Sequence, residues 1–150
     1  MQAVFSRPVE VRWSDLDPNF HLRHSVYYDY AAYLRVVMLN EIGLTPPVFM
    51  QHHFGLIIFR EECIFKKEIH FGDQLEVNAV ITKARKDFSR WTMKHEIWKN
   101  KNVLAAILTI EGAWLDTVKR KLYKPEAFLA EAFNKIPKHS DFQFEENVQV

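Results

Sequence analysis

The order of the hydrophobic patterns along this 150-residue chain constrains its fold more than any other feature. One short alternation comes first, one long helical pattern follows, and a series of further alternations completes the order. In the helical pattern, apolar or aromatic side chains recur every three or four positions, at Tyr27, Tyr30, Ala31, Leu34, Val37 and Met38. Ser25 suits an N-cap and Gly43 suits a left-handed C-terminal cap. We therefore expect a helix over residues 26–42 and a loop over 45–54.

The alternating segments predict strands. Residues 9–14 form the expected first strand, residues 56–69 are rich in Ile and Phe, and residues 103–114 are almost entirely apolar. Two more strands each present one apolar face, made by Leu75, Val77, Ala79, Ile81, Trp91, Met93, His95 and Ile97. Turn-forming residues separate these strands at 71–73, 86–89 and 99–102. Such short connections predict an antiparallel meander.

A sheet with an apolar face is not stable when uncovered, so the long helix must cover it. These elements predict an α+β hotdog fold, in which one long helix is wrapped by a curved antiparallel sheet of five or six strands. We expect one domain over 1–150, with a short helix over 125–133 and a loosely held tail over 136–150. An edge strand of such a sheet is safest when paired, which favours a homodimer or homotetramer. A cone-shaped α+β binding domain is the alternative, but its usual leading helices are missing.

Charge and cysteine content narrow the possible functions. The net charge of +1 provides no broad field for binding nucleic acid or a membrane, so an anionic ligand needs a local basic patch. Cys63, the only cysteine, excludes an internal disulfide and a cysteine-rich metal site, and it fits a reducing compartment. No segment approaches the roughly 18 apolar residues of a membrane span, and residues 1–8 lack a secretory signal. We expect a cytoplasmic protein.

The polar loop before the long helix carries a recognisable motif. The run Val-Arg-Trp-Ser-Asp-Leu-Asp-Pro-Asn-Phe-His over 11–21, followed by Tyr27, Tyr30, Arg35 and Gly43, resembles the entry motif of hotdog thioesterases of the hydroxybenzoyl-CoA thioesterase group. It is also similar to plant acyl-carrier-protein thioesterases, and Phe-Gly-Asp-Gln-Leu over 71–75 resembles a later turn of these proteins. The resemblance implies hydrolysis of an acyl-CoA or acyl-carrier-protein thioester. It also implies that no cofactor is needed beyond the coenzyme A of the substrate, and that the site lies between two subunits.

Asp17 occupies the position of the catalytic aspartate in the resemblance, as nucleophile or as general base. A thioester has a good leaving group, so hydrolysis needs mainly a positioned carboxylate and stabilisation of an oxyanion. The unpaired backbone N–H groups of His24 and Ser25, at the start of the helix, suit that oxyanion. The alternative for Asp17 is a structural role, because an aspartate before proline often shapes a turn. Asp15 is interpreted as structural.

His21 and His24 lie close to Asp17 in sequence and suggest a zinc site. Zinc needs three or four protein ligands, and the sequence places no further ligand beside them, so we expect no metal. His21 can instead orient Asp17 or a water molecule, or both rings can make ordinary hydrogen bonds in a polar loop. Many relatives have Asn-Asn where this chain has Arg23-His24. The missing amide keeps open a second hypothesis, a module that binds acyl thioesters without turnover, and a hotdog dehydratase or hydratase ranks third.

Two groups of residues are candidates for substrate binding. Tyr27 and Tyr28, in the first turn of the helix, can line the acyl site, although an aromatic stripe on a helix is more often part of the core. Four residues in and beside the turn after the third strand can bind the phosphates of coenzyme A: Arg85, Lys86, Ser89 and Arg90. The alternative for this basic turn is a solvated surface.

Overall fold

The computed structural model describes residues 4–146, and these residues form three α-helices and a seven-stranded sheet. The helices are α1 (His24–Glu41), α2 (Pro46–His52) and α3 (Ala127–Asn134). The strands are β1 (Phe5–Val9), β2 (Phe54–Phe65), β3 (Leu75–Arg85), β4 (Arg90–Lys99), β5 (Val103–Asp116), β6 (Lys121–Leu122) and β7 (Lys138–Glu145). Within this part of the chain, no helix is long and apolar enough to cross a membrane.

The strand order is β1-β3-β4-β5-β2, and each neighbouring pair in this order is antiparallel. Short β6 pairs with the end of β5, and β7 pairs in parallel with β3. Helix α1 contacts β1, β3 and β5 and covers one face of the curled sheet. The predicted α+β hotdog fold is confirmed, with β6 and β7 added to the five principal strands.

Helix α1 has the predicted position and the predicted buried face. Its buried side chains are Val26, Tyr27, Tyr30, Ala31, Leu34, Arg35, Met38 and Leu39. Gly43 has φ +90°, a left-handed conformation that L side chains rarely adopt, so the sequence places glycine where the chain must leave the helix. On the sheet, Trp91, Met93, His95 and Ile97 are buried and alternate with less buried residues, as predicted for β4.

The predicted first strand over 9–14 is wrong in position. The strand that pairs with β3 is β1, whereas Trp13, expected to face inward, is 81% exposed and belongs to a 3-10 turn. A side chain causes the change, because the Asp15 carboxylate accepts a hydrogen bond from the Arg12 amide at 3.0 Å. Such local bonds compete with extended structure.

Two segments expected to be irregular are ordered. Part of the predicted loop over 45–54 forms α2, which begins after Thr45 with proline at its first position, where a missing N–H has no cost. The predicted loosely held tail is wrong over β7, whose Gln143, Phe144 and Glu145 pair with the end of β3. Residues 147–150, also assigned to that tail, lie outside the described residues.

Candidate active site

The loop between β1 and α1 positions Asp17 through a tight network of backbone hydrogen bonds. The Asp17 N–H donates to the His21 carbonyl at 2.8 Å, and the Phe20 N–H donates to the Asp17 carbonyl at 2.9 Å. The Asp17 Oδ1 atom accepts the N–H groups of Asn19 at 2.8 Å and His21 at 3.2 Å. This oxygen shapes the turn, as the structural alternative for Asp17 requires. Within the described residues, Oδ2 accepts no hydrogen bond from protein and is available for chemistry.

Asp17 lines a pocket of about 280 Å³ beside the start of α1. Its walls come from the loop, the first turn of α1 and the chain at the end of β2. The lining residues are Asp17, His21, Leu22, His24, Tyr27, Phe65, Lys66, Lys67 and Glu68. The pocket therefore brings three predicted site residues, His21, His24 and Tyr27, together with Asp17.

The first turn of α1 presents free donors to this region. The N-cap is Arg23, not Ser25 as predicted, and no side chain caps the helix. In the described chain, the amides of His24 and Ser25 donate no hydrogen bond, as expected at the start of a helix. Arg23 itself is held by two contacts, from Nε to the Ser25 hydroxyl at 3.0 Å and from a guanidinium N–H to the Ser14 carbonyl at 3.2 Å. Its guanidinium is thus engaged in fixing the helix start.

Asp15 is a buried residue that stabilises the loop. Its carboxylate is almost fully buried and accepts hydrogen bonds from the Arg12 side chain at 2.9 and 3.1 Å, in addition to the Arg12 amide. These bonds hold the pKa of Asp15 below its usual value. The Asp15 carbonyl accepts the Arg23 N–H at 2.7 Å. Asp15 therefore links the 3-10 turn to the start of α1, in the structural role that we expected.

The two tyrosines of the first helical turn differ in position. Tyr27 is buried, packs edge-to-face on Phe65 with ring centroids 4.9 Å apart, and forms a wall of the pocket. Burial raises the pKa of Tyr27 to about 12, so it is a neutral phenol at physiological pH. Tyr28 is half-buried and is not part of the pocket lining. Tyr27 thus belongs to both the core and the site.

The basic turn lies at the other end of the sheet. His70, which is bridged to His21, precedes β3, whereas Arg85 is the last residue of β3. The strand has 11 residues, so its two ends lie about 30 Å apart at the usual rise. The Arg90 guanidinium stacks 4.8 Å from the centroid of the Phe59 ring, and in the turn beside it Lys86 is exposed and Ser89 is half-buried. One chain does not bring the predicted phosphate-binding residues to Asp17.

Sequence reasoning missed several polar residues at the site. Lys66, Lys67 and Glu68 line the pocket, and an isolated antiparallel bridge joins His70 to His21. The His21 Nε2 atom lies 3.2 Å from Glu68 Oε2. The polar run over 66–68, directly after the apolar end of β2, was the available sequence signal for these residues. Its proximity to Asp17 depends on the pairing of distant segments.

Comparisons with known proteins identify the family of this chain and solved structures with the same fold. The family model of the thioesterase-like superfamily matches residues 11–133. A Staphylococcus aureus protein solved in complex with CoA is 16% identical, with 89% of this chain and 84% of that chain covered and a TM-score of 0.82. A 1,4-dihydroxy-2-naphthoyl-CoA thioesterase from Synechocystis is 19% identical, with coverages of 89% and 97% and a TM-score of 0.77.

A DHNA-CoA thioesterase from Staphylococcus aureus is also similar, at 18% identity, with 88% of this chain and 89% of that chain covered and a TM-score of 0.78. At these identities, the solved structures show a common fold. The comparison with curated proteins finds no match.

Proposed function

The chain belongs to the thioesterase-like superfamily, and from this premise we propose that it hydrolyses an acyl-CoA or acyl-carrier-protein thioester to a free acid and a thiol. The observation that carries the proposal is the placement of Asp17 in a pocket beside the start of α1, with one carboxylate oxygen free of protein hydrogen bonds in the described chain. The substrates named for similar solved proteins are CoA thioesters, which supports the same class of substrate here.

In the proposed reaction, the thioester carbonyl lies between Asp17 and the helix start. As a general base, the Asp17 carboxylate takes a proton from water while the water oxygen bonds to the carbonyl carbon. As a nucleophile, it bonds to that carbon itself, and water then hydrolyses the mixed anhydride. In both routes the carbon–sulfur bond breaks and the sulfur leaves as a thiolate that takes up a proton. The amides of His24 and Ser25 stabilise the oxyanion, since they are unpaired and lie at the positive end of the helix dipole.

Four further residues take part in this proposal. His21 supports Asp17 through its backbone N–H, which donates to Oδ1 at 3.2 Å and keeps the carboxylate oriented. Tyr27 and Phe65 form an apolar wall for the acyl group. Tyr28 remains a proposed substrate contact in the assembled protein, because it lies on the helix next to this wall.

The coenzyme A moiety is proposed to bind across two subunits. Strand β2 is the last in the principal strand order and exposes apolar side chains such as Ile58 and Ile64, which a second copy of β2 can cover. Suppose that β2 pairs with the β2 strand of a second subunit in antiparallel orientation, centred on the strand midpoint. The last residues of β2, at the Asp17 pocket, then lie beside the first residues of the second β2. Only β5 lies between the first residues of β2 and Arg90 of the same subunit, because Ala113 of β5 pairs with Ile57 on one side and with Arg90 on the other. The basic turn of one subunit thereby approaches Asp17 of the other.

The Asp17→Asn variant tests the catalytic role. Asparagine keeps an oxygen acceptor for the two backbone N–H groups but removes the carboxylate, so we expect folding to persist while kcat falls by about 10²–10⁴-fold. Thiol release from a panel of aromatic, short-chain and long-chain acyl-CoAs measures the effect. The control Asp29→Asn makes the same change at an exposed position on α1 and should retain activity. Unchanged turnover in Asp17→Asn would remove Asp17 from the mechanism.

A second candidate function is binding of acyl thioesters without turnover. It is favoured by two observations: Asp17 Oδ1 is engaged in the turn, and Arg23, which fixes the helix start, stands where many proteins that the motif resembles have asparagine. The same panel separates the two, because binding of acyl-CoA by the unmodified protein without thiol release would support this candidate. Hydration chemistry is not proposed, because His21 and Glu68 contact each other at 3.2 Å and do not face each other across a substrate.

A further inference from the structure

A cluster of two histidines and one glutamate lies at the edge of the Asp17 pocket. One donor atom from each of His21, Glu68 and His70 lies within 4.8 Å of the other two. Glu68 Oε2 is 3.2 Å from His21 Nε2 and 3.8 Å from His70 Nε2, and the two rings meet edge-on with centroids 4.9 Å apart. We propose that these three side chains form a binding site for a divalent transition-metal ion such as Zn²⁺.

The backbone holds the three side chains together. His21 and His70 face each other in an antiparallel bridge, and the Leu22 N–H donates to the Ile69 carbonyl at 2.8 Å. Ile69 is fully buried, so Glu68 and His70, on either side of it in extended chain, point outward on the same side. The backbone positions of the three residues are therefore fixed by a hydrogen-bonded pair of segments.

The donor set suits Zn²⁺ in chemistry and in size. Two imidazoles and one carboxylate are common zinc ligands, and a fourth position left to water is usual at an open site. A tetrahedral ion with bonds of about 2.1 Å places its ligand atoms about 3.4 Å apart. The donor atoms lie within 4.8 Å of one another, so the longest separation has to shorten by about 1.4 Å at most, a shift within the reach of side-chain rotation. The side chains of Glu68 and His70 are 65% and 51% exposed, so an ion can reach them and they are free to rotate.

The neighbouring charges of Asp73 and Lys99 have partners of their own. Asp73 accepts the His70 N–H at 2.8 Å and has an oxygen 3.9 Å from His70 Nδ1, where it can orient that ring. The ammonium of Lys99 lies 3.7 Å from the same Asp73 carboxylate and donates to the Glu68 carbonyl. This lysine is thereby held by two oxygen partners.

The proposed ion would act directly on the loop that holds Asp17. The backbone of His21 both donates to Asp17 Oδ1 and accepts the Asp17 N–H, so an ion on the His21 ring fixes the residue that orients Asp17. The metal site does not rest on the proposed hydrolysis, because it requires only these three side chains. Sequence reasoning expected no metal because it considered His21 with His24, whereas the fold supplies Glu68 and His70.

Titration of the chelator-treated full chain with ZnCl₂ in a calorimeter tests the proposal. We expect one ion per chain, a loss of at least about tenfold in affinity in His70→Ala, and a comparable loss in Glu68→Gln. His139→Ala is the matched control, since His139 also lies 3.9 Å from a carboxylate, that of Asp141, but outside the cluster. This variant should bind zinc as the unmodified chain does. Substitution with Co²⁺ should give the intense visible absorption of a four-coordinate ion.

Zinc binding that is equally strong in His70→Ala and in the unmodified chain would overturn the proposal, as would the absence of one-to-one binding. His70→Gln, which keeps a polar side chain at the bridge, serves if His70→Ala fails to fold by circular dichroism. Thiol release is measured separately on the chelator-treated chain and on Asp17→Asn. Because the zinc titration contains no thioester, a failure of the metal site and a failure of the proposed hydrolysis are distinguishable.

Discussion

Among single residues, Arg35 and His95 form the most unusual contact inside the protein. Arg35 on α1 is 7% exposed and His95 on β4 is fully buried, yet a guanidinium nitrogen of Arg35 lies 3.1 Å from His95 Nε2. The other ring nitrogen lies 3.0 Å from the Asn78 carbonyl. A neutral imidazole satisfies both neighbours, because Nδ1 donates to the carbonyl and Nε2 accepts from the guanidinium. Burial, together with the charge of Arg35, lowers the pKa of His95 to about 3.

This low pKa predicts a loss of stability in mild acid. In the unfolded chain, His95 is protonated below about pH 6.5, whereas in the folded chain it stays neutral down to about pH 3. The stabilisation is therefore fully present above pH 6.5 and declines below it. Between pH 7 and pH 5, where most carboxylates stay ionised, His95 should remove about 2 kcal/mol from the free energy of unfolding. Urea denaturation at a series of pH values measures the decline.

His95→Gln should flatten this pH dependence, whereas the control His52→Gln, at an exposed position, should leave it unchanged. Parallel curves for the unmodified chain and His95→Gln would contradict the assignment. If His95→Gln does not fold, the ring resonances of His95 in the unmodified chain provide the check, because they should not titrate above pH 4.

The sequence predicted single residues best where a role depends on near neighbours. The carboxylates of Asp15 and Asp17 make hydrogen bonds that span at most four residues, so motif and turn chemistry located both. The contact of His21 with Glu68 joins positions 47 apart in the chain, and no local pattern encodes it. The distance of Arg85 and Arg90 from Asp17 was missed for the same reason. Their proposed joint action depends on a second subunit.

At the scale of elements, close packing of β5 against its neighbours depends on Gly112. A Cβ atom added there would lie 2.4 Å from the Trp91 ring and 2.7 Å from the Ile57 carbonyl oxygen. Gly112 pairs with Trp91 of β4 on one side and with Ile58 of β2 on the other, beside the irregularity where the register shifts. The three strands can approach this closely because the central one carries no side chain at that point.

Gly112→Ala should therefore destabilise the protein by about 1–3 kcal/mol, the usual effect of overpacking. Gly55→Ala is the control, because the nearest atom to a Cβ there is a Thr117 methyl carbon at 3.6 Å, an ordinary contact. The urea midpoint of each variant measures the difference. A Gly112→Ala midpoint equal to that of the control would show that the ring of Trp91 can move aside.

Elements with a strong internal period were predictable, and elements set by distant partners were not. Helix α1 and strands β3 and β4 have apolar faces that repeat regularly, and their positions are confirmed. Strand β7 has a mostly exposed, polar pattern, and its order comes from parallel pairing with β3 after the α3 crossover. The alternation over 9–14 was misleading because the bonds of Asp15 divert the chain from the sheet.

At the scale of the whole molecule, the proposed shared site makes a prediction about substrate and assembly. Neutralising Arg85, Lys86 and Arg90 together should weaken turnover of acyl-CoA but spare an acyl-pantetheine analogue that lacks the nucleotide phosphates. Equal losses on both substrates would contradict a role in phosphate binding. A second variant, in which Lys66 and Lys67 of the Asp17 pocket are neutralised, provides the comparison. If only this variant selectively loses turnover of acyl-CoA, the phosphates bind to the same subunit that supplies Asp17.

Mixed oligomers test whether two subunits share the site. A mixture of the Asp17→Asn chain and the charge-neutralised chain, refolded together, should recover about a quarter of the unmodified activity, because half of the dimers are mixed and each has one intact site of two. No recovery in a mixture shown by light scattering to contain dimers would mean that each site uses one chain alone.

The sharing of one edge of β3 between β1 and β7 also has a consequence for how the protein forms. Strand β1 pairs with Leu75–Ala79 and β7 pairs with Ile81–Arg85, so the two partners of this edge come from positions more than 120 residues apart. Each of them pairs with β3 across more than 50 residues of chain, and such long-range contacts slow folding. During synthesis, half of this edge stays without its partner until the segment after α3 has left the ribosome. The nascent chain therefore passes through a stage in which its sheet is nearly complete but still open to pairing with the wrong strand.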